Sequence, residues 1–197
     1  MVAATQSKYY TPEEYLELEE RADFKSEYLD GEIVPMAGAT ANHNFLTGKF
    51  HARALLALED LNYAVFMSDM RLWLPSYRHY TYPDVMIVDG EPIFTDEKQK
   101  AIINPCVIIE ILSGSTKDYD RVDKFKKYRS LPGFQEYILI SQTDYSVEQY
   151  AKKEINRWLL TEYLNENDIL KLESVNFEIS LQDLYKRVKF DATDREE

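Results

Sequence analysis

The sequence predicts one α/β domain, in which a central mixed β-sheet is flanked by helices. The clearest strand, Cys106–Leu112, is apolar on both faces, which is typical of a central strand that is covered on each side. Segments with helical spacing of apolar residues alternate with further strand candidates along the chain. The length of 197 residues lies within the range of a single domain.

An N-terminal helix and a β-hairpin are the first predicted elements. The segment Thr11–Glu14 supplies a hydroxyl N-cap, a proline in the first helical position and a glutamate three residues after the cap. The dipeptide Asp30-Gly31 stands between short apolar runs and is a strong signal of a two-residue hairpin turn. We therefore expect two antiparallel strands between Lys25 and Met36.

A longer helix and three strands are predicted next. Leu46, Phe50, Ala54 and Leu58 lie on one stripe at helical spacing, which predicts an amphipathic helix over Asn42–Leu58. The strand candidates that follow are Tyr63–Met67, Met70–Leu74 and Tyr82–Val88.

The second half of the chain is predicted to continue the same alternation. After the strand Cys106–Leu112, a polar helix is expected over Asp118–Ser130, and Pro132 and Gly133 end it. The remaining predicted elements are strands at Glu136–Ile140, Ser146–Ala151 and Arg157–Leu164, the last two as an antiparallel pair, and a short helix at Leu181–Tyr185.

The composition excludes several classes of protein. The formal net charge is −12, so no global positive field attracts the chain to nucleic acid or to anionic lipid. The single cysteine, Cys106, forbids an internal disulfide framework, and we expect a cytoplasmic protein. No apolar run approaches the ~20 residues of a membrane span, so no membrane partner is expected.

We expect a flexible N-terminus over residues 1–10, a domain over 11–186 and a charged tail over 187–197.

Two carboxylates stand where apolar residues are expected. Glu110 lies inside the strand 106–112, and a buried carboxylate normally takes up a proton, pairs with a base or binds a cation. Asp84 follows Pro83 at the start of an otherwise apolar strand, although aspartate is disfavoured in strands. The two acids predict a shared site for one divalent ion, since Mg²⁺ takes oxygen ligands. The alternatives are a structural glutamate at a strand end and a solvent-exposed cap of the other strand.

Three further residues are candidates for the same site. Glu27 shares a strand face with Leu29 and is either a further metal ligand, the partner of a base or a surface residue. Lys124 would orient or deprotonate an attacking water, or else it belongs to a solvated helix face. His43 stands at the start of the long helix, where it hydrogen-bonds the site, carries a proton or caps the helix.

An ordered series of motifs resembles a known family. The motifs are Glu27–Glu32, His43, Pro83-Asp84, Glu110–Ser113, Asp120–Tyr128, Pro132–Tyr137 and Leu181–Tyr185, in this order within residues 11–186. Together they resemble the bacterial family known as "putative restriction endonuclease", which was first catalogued as a domain of unknown function. That family belongs to the PD-(D/E)XK nuclease superfamily.

The resemblance implies a restriction-endonuclease-like fold and hydrolysis of phosphodiester bonds assisted by Mg²⁺ or Mn²⁺. Asp84 would be the aspartate of the PD motif, and Glu110 would be the acid of the (D/E)XK motif. Glu27 would be the upstream acid and a further metal ligand. Leu112 stands where the superfamily has its lysine, so the resemblance makes Lys124, on the following helix, the candidate for that role.

The expected partner is nucleic acid, with DNA as the substrate. Arg121, Lys126 and Lys127 offer a local basic strip despite the acidic total. Fifteen tyrosines and nine phenylalanines favour a homodimer, because exposed aromatic residues are common at interfaces. The alternative is a catalytically inactive nuclease-like fold that acts as a regulatory or interaction module, and an enzyme acting on RNA or small nucleotides is a third hypothesis.

Overall fold

A computed structural model describes residues 8–113 and 119–190, which contain four α-helices and thirteen β-strands. The helices are α1 (Pro12–Glu19), α2 (Ala41–Leu58), α3 (Phe125–Tyr128) and α4 (Leu181–Leu184). The strands are β1 (Ser26–Leu29), β2 (Glu32–Pro35), β3 (Tyr63–Met67), β4 (Arg71–Leu74), β5 (His79–Thr81), β6 (Val85–Asp89), β7 (Ala101–Ile102), β8 (Val107–Leu112), β9 (Glu136–Ser141), β10 (Val147–Glu154), β11 (Arg157–Tyr163), β12 (Ile169–Lys171) and β13 (Glu178–Ser180). No helix in these two ranges is both long enough and apolar enough to cross a membrane.

The central element is a six-stranded mixed sheet with the strand order β11-β10-β9-β8-β6-β3. Strands β8 and β9 run parallel, and the other neighbouring pairs of this sheet are antiparallel. A five-stranded sheet with the order β2-β1-β5-β4-β7 and the antiparallel pair β12-β13 complete the described strands. The predicted fold class, a mixed sheet flanked by helices, is confirmed.

The six-stranded sheet carries an apolar core on each face. Alternate residues of β8 divide between the two cores: Val107 and Ile109 pack with α2 and α4, whereas Ile108 and Leu112 pack with α3 and β4. Glu110 occupies the position between Ile108 and Leu112, so a carboxylate interrupts the apolar face that α3 covers. This interruption marks the place of the candidate site.

The predicted strand Tyr82–Val88 is wrong in its first part. Strand β6 begins only at Val85, and His79–Thr81 form the separate strand β5 in the five-stranded sheet. The connection between β5 and β6 contains Pro83, which has no backbone N–H with which to continue a ladder. The break leaves Asp84 immediately ahead of β6, outside the regular pairing.

The other predicted elements are confirmed with small shifts at their ends. The predicted helix Asp118–Ser130 is a π-helical segment, Asp120–Lys124, that leads directly into α3, and Asp118 itself lies outside the described residues. The strands β7, β12 and β13 were not predicted, because segments of two or three residues carry no readable alternation.

The β1–β2 hairpin depends on its turn, and Gly31→Ala is expected to destabilise the protein. Both turn residues have positive φ, 42° at Asp30 and 107° at Gly31, as a two-residue hairpin turn requires. A Cβ atom at Gly31 would also collide with the ring of Tyr9. We expect the free energy of unfolding to fall by about 1–2 kcal/mol, measured by chemical denaturation.

Gly133→Ala is the matched control for this substitution. A Cβ atom at Gly133 meets no heavy atom within 4 Å, so the substitution should leave the free energy of unfolding unchanged or slightly higher. Equal stability of the two alanine variants would contradict the conformational role of the turn.

Candidate active site

The two carboxylates predicted from the sequence meet at one end of the six-stranded sheet. The antiparallel pairing of β6 and β8 ends at Val85 and Ile109, so Asp84 lies just ahead of β6, beside the part of β8 that contains Glu110. Oδ2 of Asp84 accepts a hydrogen bond from Ile111, the residue after Glu110, and the charge of Asp84 acts on the Glu110 carboxyl. The structure therefore brings Asp84 and Glu110 together.

Asp84 is held by groups from two other elements. Its Oδ2 atom accepts a hydrogen bond of 2.8 Å from the backbone N–H of Ile111, and it lies 3.2 Å from Nε2 of His43 in the first turn of α2. The cap of α2 is Thr40, whose hydroxyl oxygen accepts from the backbone N–H of His43. His43 therefore contacts the site and is not the helix cap.

Glu110 is almost fully buried, with 4% of its surface exposed. Its Oε1 atom accepts hydrogen bonds from the Tyr128 hydroxyl at 2.7 Å and from Nζ of Lys124 at 3.1 Å. Burial, together with the charges of Asp84 and Asp120, raises the pKa of Glu110 to about 8, although Lys124 acts to lower it. Because burial makes the negative form of Glu110 unfavourable, a bound cation would stabilise this carboxylate.

Lys124 reaches this carboxylate from the π-helical segment. Its Nζ atom lies 3.1 Å from Glu110 Oε1 and 3.0 Å from Asp120 Oδ1. Burial alone would lower the pKa of Lys124, but the carboxylates of Glu110, Asp120 and Glu27 hold it well above its ordinary value. The ammonium group is therefore charged at neutral pH and donates a hydrogen bond to Glu110.

Leu112, at the position where the superfamily has its lysine, belongs to the apolar core between β8 and α3. The lysine that reaches Glu110 comes from a helical segment twelve positions further along the chain, counted from residue 112 to residue 124. The displaced lysine that the resemblance implied is thus adjacent to the carboxylate pair.

Glu27 lies on β1 in the five-stranded sheet and is bound by other groups. Its Oε1 atom accepts a hydrogen bond from the Thr81 hydroxyl, and its Oε2 atom lies 3.7 Å from Nε2 of His79. Burial would raise the pKa of Glu27, but His79, Lys124 and Thr81 together lower it to about 2. Within the described ranges, no group of three His, Cys, Asp or Glu side chains is arranged to hold a metal ion. The role of Glu27 as a further ligand stays a prediction.

The depressed pKa of Glu27 predicts a loss of stability in Glu27→Gln. A carboxyl whose pKa falls from 4.5 to about 2 on folding stabilises the folded state above pH 4.5, and this contribution disappears as the pH falls towards 2. We expect Glu27→Gln to lower the free energy of unfolding at pH 7 by about 2 kcal/mol. The difference from wild type should shrink between pH 4.5 and pH 3 in urea denaturation.

Glu32→Gln is the control, because Glu32 is an exposed acid on the neighbouring strand β2. It should leave the stability and its pH dependence as in wild type. A Glu27→Gln loss that stays constant down to pH 3 would show that packing, rather than charge, explains the effect.

The predicted basic strip is less uniform than the sequence indicates. Arg121 donates from Nε and Nη2 to Oε1 of Glu148, at 2.8 and 2.6 Å. Lys127 donates to the Tyr119 hydroxyl at 3.0 Å, and burial lowers the pKa of Lys127. Lys126 is exposed to solvent.

Several residues around the site were not identified as functional from the sequence. Tyr128 and Asp120 contact the charged centre directly, and the Tyr137 hydroxyl donates to the backbone oxygen of Asp120 at 3.0 Å. Gln142 donates to the backbone oxygen of Leu112 at 3.0 Å, at the end of β8. The spacing of Asp120 and Lys124 predicted a contact between them. A tyrosine in a helix is usually a core residue, and no local pattern predicts a role for Gln142.

Comparison with known proteins identifies the family of this chain. A family model described as "Putative restriction endonuclease", Uma2, matches residues 12–182. The chain belongs to the Uma2 family. Two curated relatives come from Synechocystis sp. (strain ATCC 27184 / PCC 6803 / Kazusa): "Uncharacterized protein sll1609", 51% identical over 85% of this chain and 94% of its own length, and "Uncharacterized protein slr1290", 33% identical over 91% and 93%.

A solved structure of a Uma2-type protein shares the fold. It is a crystal structure of "a putative nuclease belonging to DUF820" from Anabaena variabilis ATCC 29413, with a TM-score of 0.73 over 90% of this chain and 98% of that chain. The identity is 19%, so the likeness supports the fold alone. The family resemblance of the motifs and the nuclease-like fold are confirmed.

Proposed function

We propose that this chain is a metal-dependent endonuclease that hydrolyses phosphodiester bonds in DNA. The observation that carries the proposal is the placement of Lys124 against Glu110, in the place where Asp84 and Glu110 lie close together. A carboxylate pair with an adjacent ammonium group suits the transfer of a phosphoryl group, in which negative charge develops on oxygen.

The carboxylate pair fits a magnesium or manganese ion. Hydrogen bonds from the described residues orient Oδ2 of Asp84 and Oε1 of Glu110. The second oxygen of each carboxylate, Oδ1 of Asp84 and Oε2 of Glu110, would serve as the ligand, and Mg²⁺ is typically held by one or two protein carboxylates with water and phosphate in the other positions. When bound, the ion would stabilise charge on the scissile phosphate and lower the pKa of a water molecule.

The surrounding residues fix the positions of these oxygens. The backbone N–H of Ile111 and the ring of His43 orient Asp84, and the Tyr128 hydroxyl orients Glu110. Lys124 carries its positive charge beside Glu110, so it can donate a hydrogen bond to the attacking water or to a phosphate oxygen. Such prior orientation avoids reorganisation during the reaction.

Because the net charge is −12, DNA would be attracted by local clusters of basic residues rather than by the overall charge of the protein. Lys126 and Lys127 follow Lys124 after Phe125, and the charge of Lys127 acts on Glu27 and Lys124 beside the site. We therefore expect cleavage to depend strongly on ionic strength, because salt weakens the contacts between the basic side chains and the DNA phosphates.

The test is incubation of the purified protein with supercoiled DNA, single-stranded DNA and RNA, in Mg²⁺, in Mn²⁺ or in EDTA. The proposal requires cleavage of DNA that depends on the metal. Cleavage of RNA alone would assign a different substrate, and no cleavage of any substrate with no effect of Mg²⁺ on the melting temperature would favour a catalytically inactive interaction module.

A further inference from the structure

A groove along the outer face of α2 combines cations with a small-residue floor. Its volume is about 510 Å³. The floor is formed by Gly48 and Ala52, and the aromatic ring of Phe45, 46% exposed, stands at one end. The opposite wall is the segment after α4, which includes Lys186 and Arg187.

The lining of this groove is cationic in a protein that is acidic as a whole. The basic residues of the lining are Lys49, Arg53, Lys186 and Arg187, and the lining contains no Asp or Glu. Arg53 pairs with Asp183 at 2.7 Å, while the other three form no ion pair with any residue in ranges 8–113 and 119–190. Three uncompensated cations on a chain of net charge −12 indicate an anionic ligand.

Gly48, within α2, leaves the groove without a side chain at its centre. A glycine inside a helix costs about 1 kcal/mol relative to alanine. Its φ is not positive, and a Cβ atom there meets no heavy atom within 4 Å, so nothing within the described fold requires glycine at this position. The absence of a side chain keeps the floor open for a close approach from outside the protein.

The groove lies on the face of α2 that points away from the core, since its lining residues on α2 stand opposite the buried residues Leu46, Phe50 and Ala54. The Asn42 side chain donates to the backbone oxygen of Lys189 at 2.8 Å, which ties the second wall of the groove to the start of α2. The two walls are therefore held together at the end of α2 where His43 contacts Asp84.

We propose that this groove, here called the α2 groove, binds the phosphate backbone of the DNA substrate. The inference rests on the proposed nuclease function. Cations that track a backbone beside an exposed aromatic ring are the usual elements of a nucleic-acid channel. A second copy of the chain is a poorer occupant, because a two-fold interface would set these cations against the same cations of the partner.

The test measures DNA affinity in EDTA, so that binding is separated from cleavage. A fluorescein-labelled DNA duplex is titrated with wild type, with Lys49→Glu and with the double variant Lys186→Glu, Arg187→Glu, by fluorescence anisotropy at several salt concentrations. We expect Lys49→Glu to bind about tenfold more weakly and to reduce the salt slope by about 1, and the double variant to lose more. Lys171→Glu, at an exposed lysine on β12, is the control with the same charge change and should bind as wild type.

Gly48→Leu tests the shape of the groove without changing its charge. It should weaken DNA binding, while its melting temperature stays equal to that of wild type or rises, because leucine favours the helix. Equal affinity of the groove variants and Lys171→Glu would overturn the proposal. The proposal would also be overturned if the groove variants bound DNA as wild type does but lost binding of polyglutamate or changed their oligomeric state. These results would assign a protein partner to the groove.

Failure of this proposal can be told apart from failure of the nuclease function. If wild type cleaves DNA in Mg²⁺ and the groove variants cleave and bind equally well, the groove assignment alone is wrong. If wild type does not cleave but its DNA binding depends on the groove, the nuclease function is wrong and the binding surface stands.

Discussion

Replacing either acid of the pair, as Asp84→Asn or Glu110→Gln, is expected to abolish DNA cleavage while the protein stays folded. Each amide keeps the shape of the side chain but removes the negative charge that would hold a divalent ion. Loss of one group that stabilises the transition state typically costs about 10²–10³-fold in rate, and loss of the ion itself should cost more. Initial rates of plasmid nicking in Mg²⁺ measure the effect.

Glu110→Gln should cost little stability, because Lys124 keeps its ion pair with Asp120, and this separates chemistry from folding. Burial makes the charged form of Glu110 unfavourable, as its raised pKa indicates, so a neutral amide suits the same position. The matched control is Glu136→Gln on the neighbouring strand β9. Glu136 is equally buried, but both its oxygens accept hydrogen bonds, from Gln149 and from residues 173 and 174.

The control should give the opposite pattern, with lower stability and an unchanged cleavage rate per folded molecule. Full cleavage by Asp84→Asn or by Glu110→Gln would remove that residue from the mechanism.

Lys124→Met is expected to reduce both stability and cleavage strongly. The substitution leaves Glu110 and Asp120 buried without their shared cation, and breaking a buried ion pair in this way typically costs about 3–5 kcal/mol. Cleavage per folded molecule should also fall, because no donor remains beside the carboxylate pair. Denaturation in urea and the nicking assay at a temperature where the variant is folded measure the two effects.

A double variant separates the structural role of Lys124 from its proposed catalytic role. Lys124→Met combined with Glu110→Gln removes one of the stranded charges, so part of the lost stability should return while cleavage stays absent. Retention of cleavage by folded Lys124→Met would show that the lysine only neutralises its neighbours.

The fold was readable from the sequence where local signals were strong. The capping box of α1, the Asp30-Gly31 turn and the two-faced apolar strand β8 each have a local physical cause, and each is present. The boundary between β5 and β6 was not predicted, because residues that favour strands stand on both sides of Pro83 and Asp84 while the chain passes from one sheet to the other. Sheet membership depends on distant pairing, which a local pattern does not contain.

The sequence predicted the charged residues of the candidate site but not the contacts that they make. Asp84 and Glu110 stood out because carboxylates are rare in apolar strands, and the structure places them close together. The placement of Glu27 against Thr81 and His79 was missed, since it depends on the pairing of two sheet regions far apart in sequence. The roles of Tyr128 and Gln142 require the packed structure, because neither residue type is unusual at its position.

The stoichiometry of Mn²⁺ binding, measured by electron paramagnetic resonance, shows whether Asp84 and Glu110 together hold one divalent cation. Wild type should bind one Mn²⁺ per chain at the site, Glu136→Gln should do the same, and the double variant Asp84→Asn, Glu110→Gln should bind none there. Undiminished Mn²⁺ binding by the double variant would contradict the account.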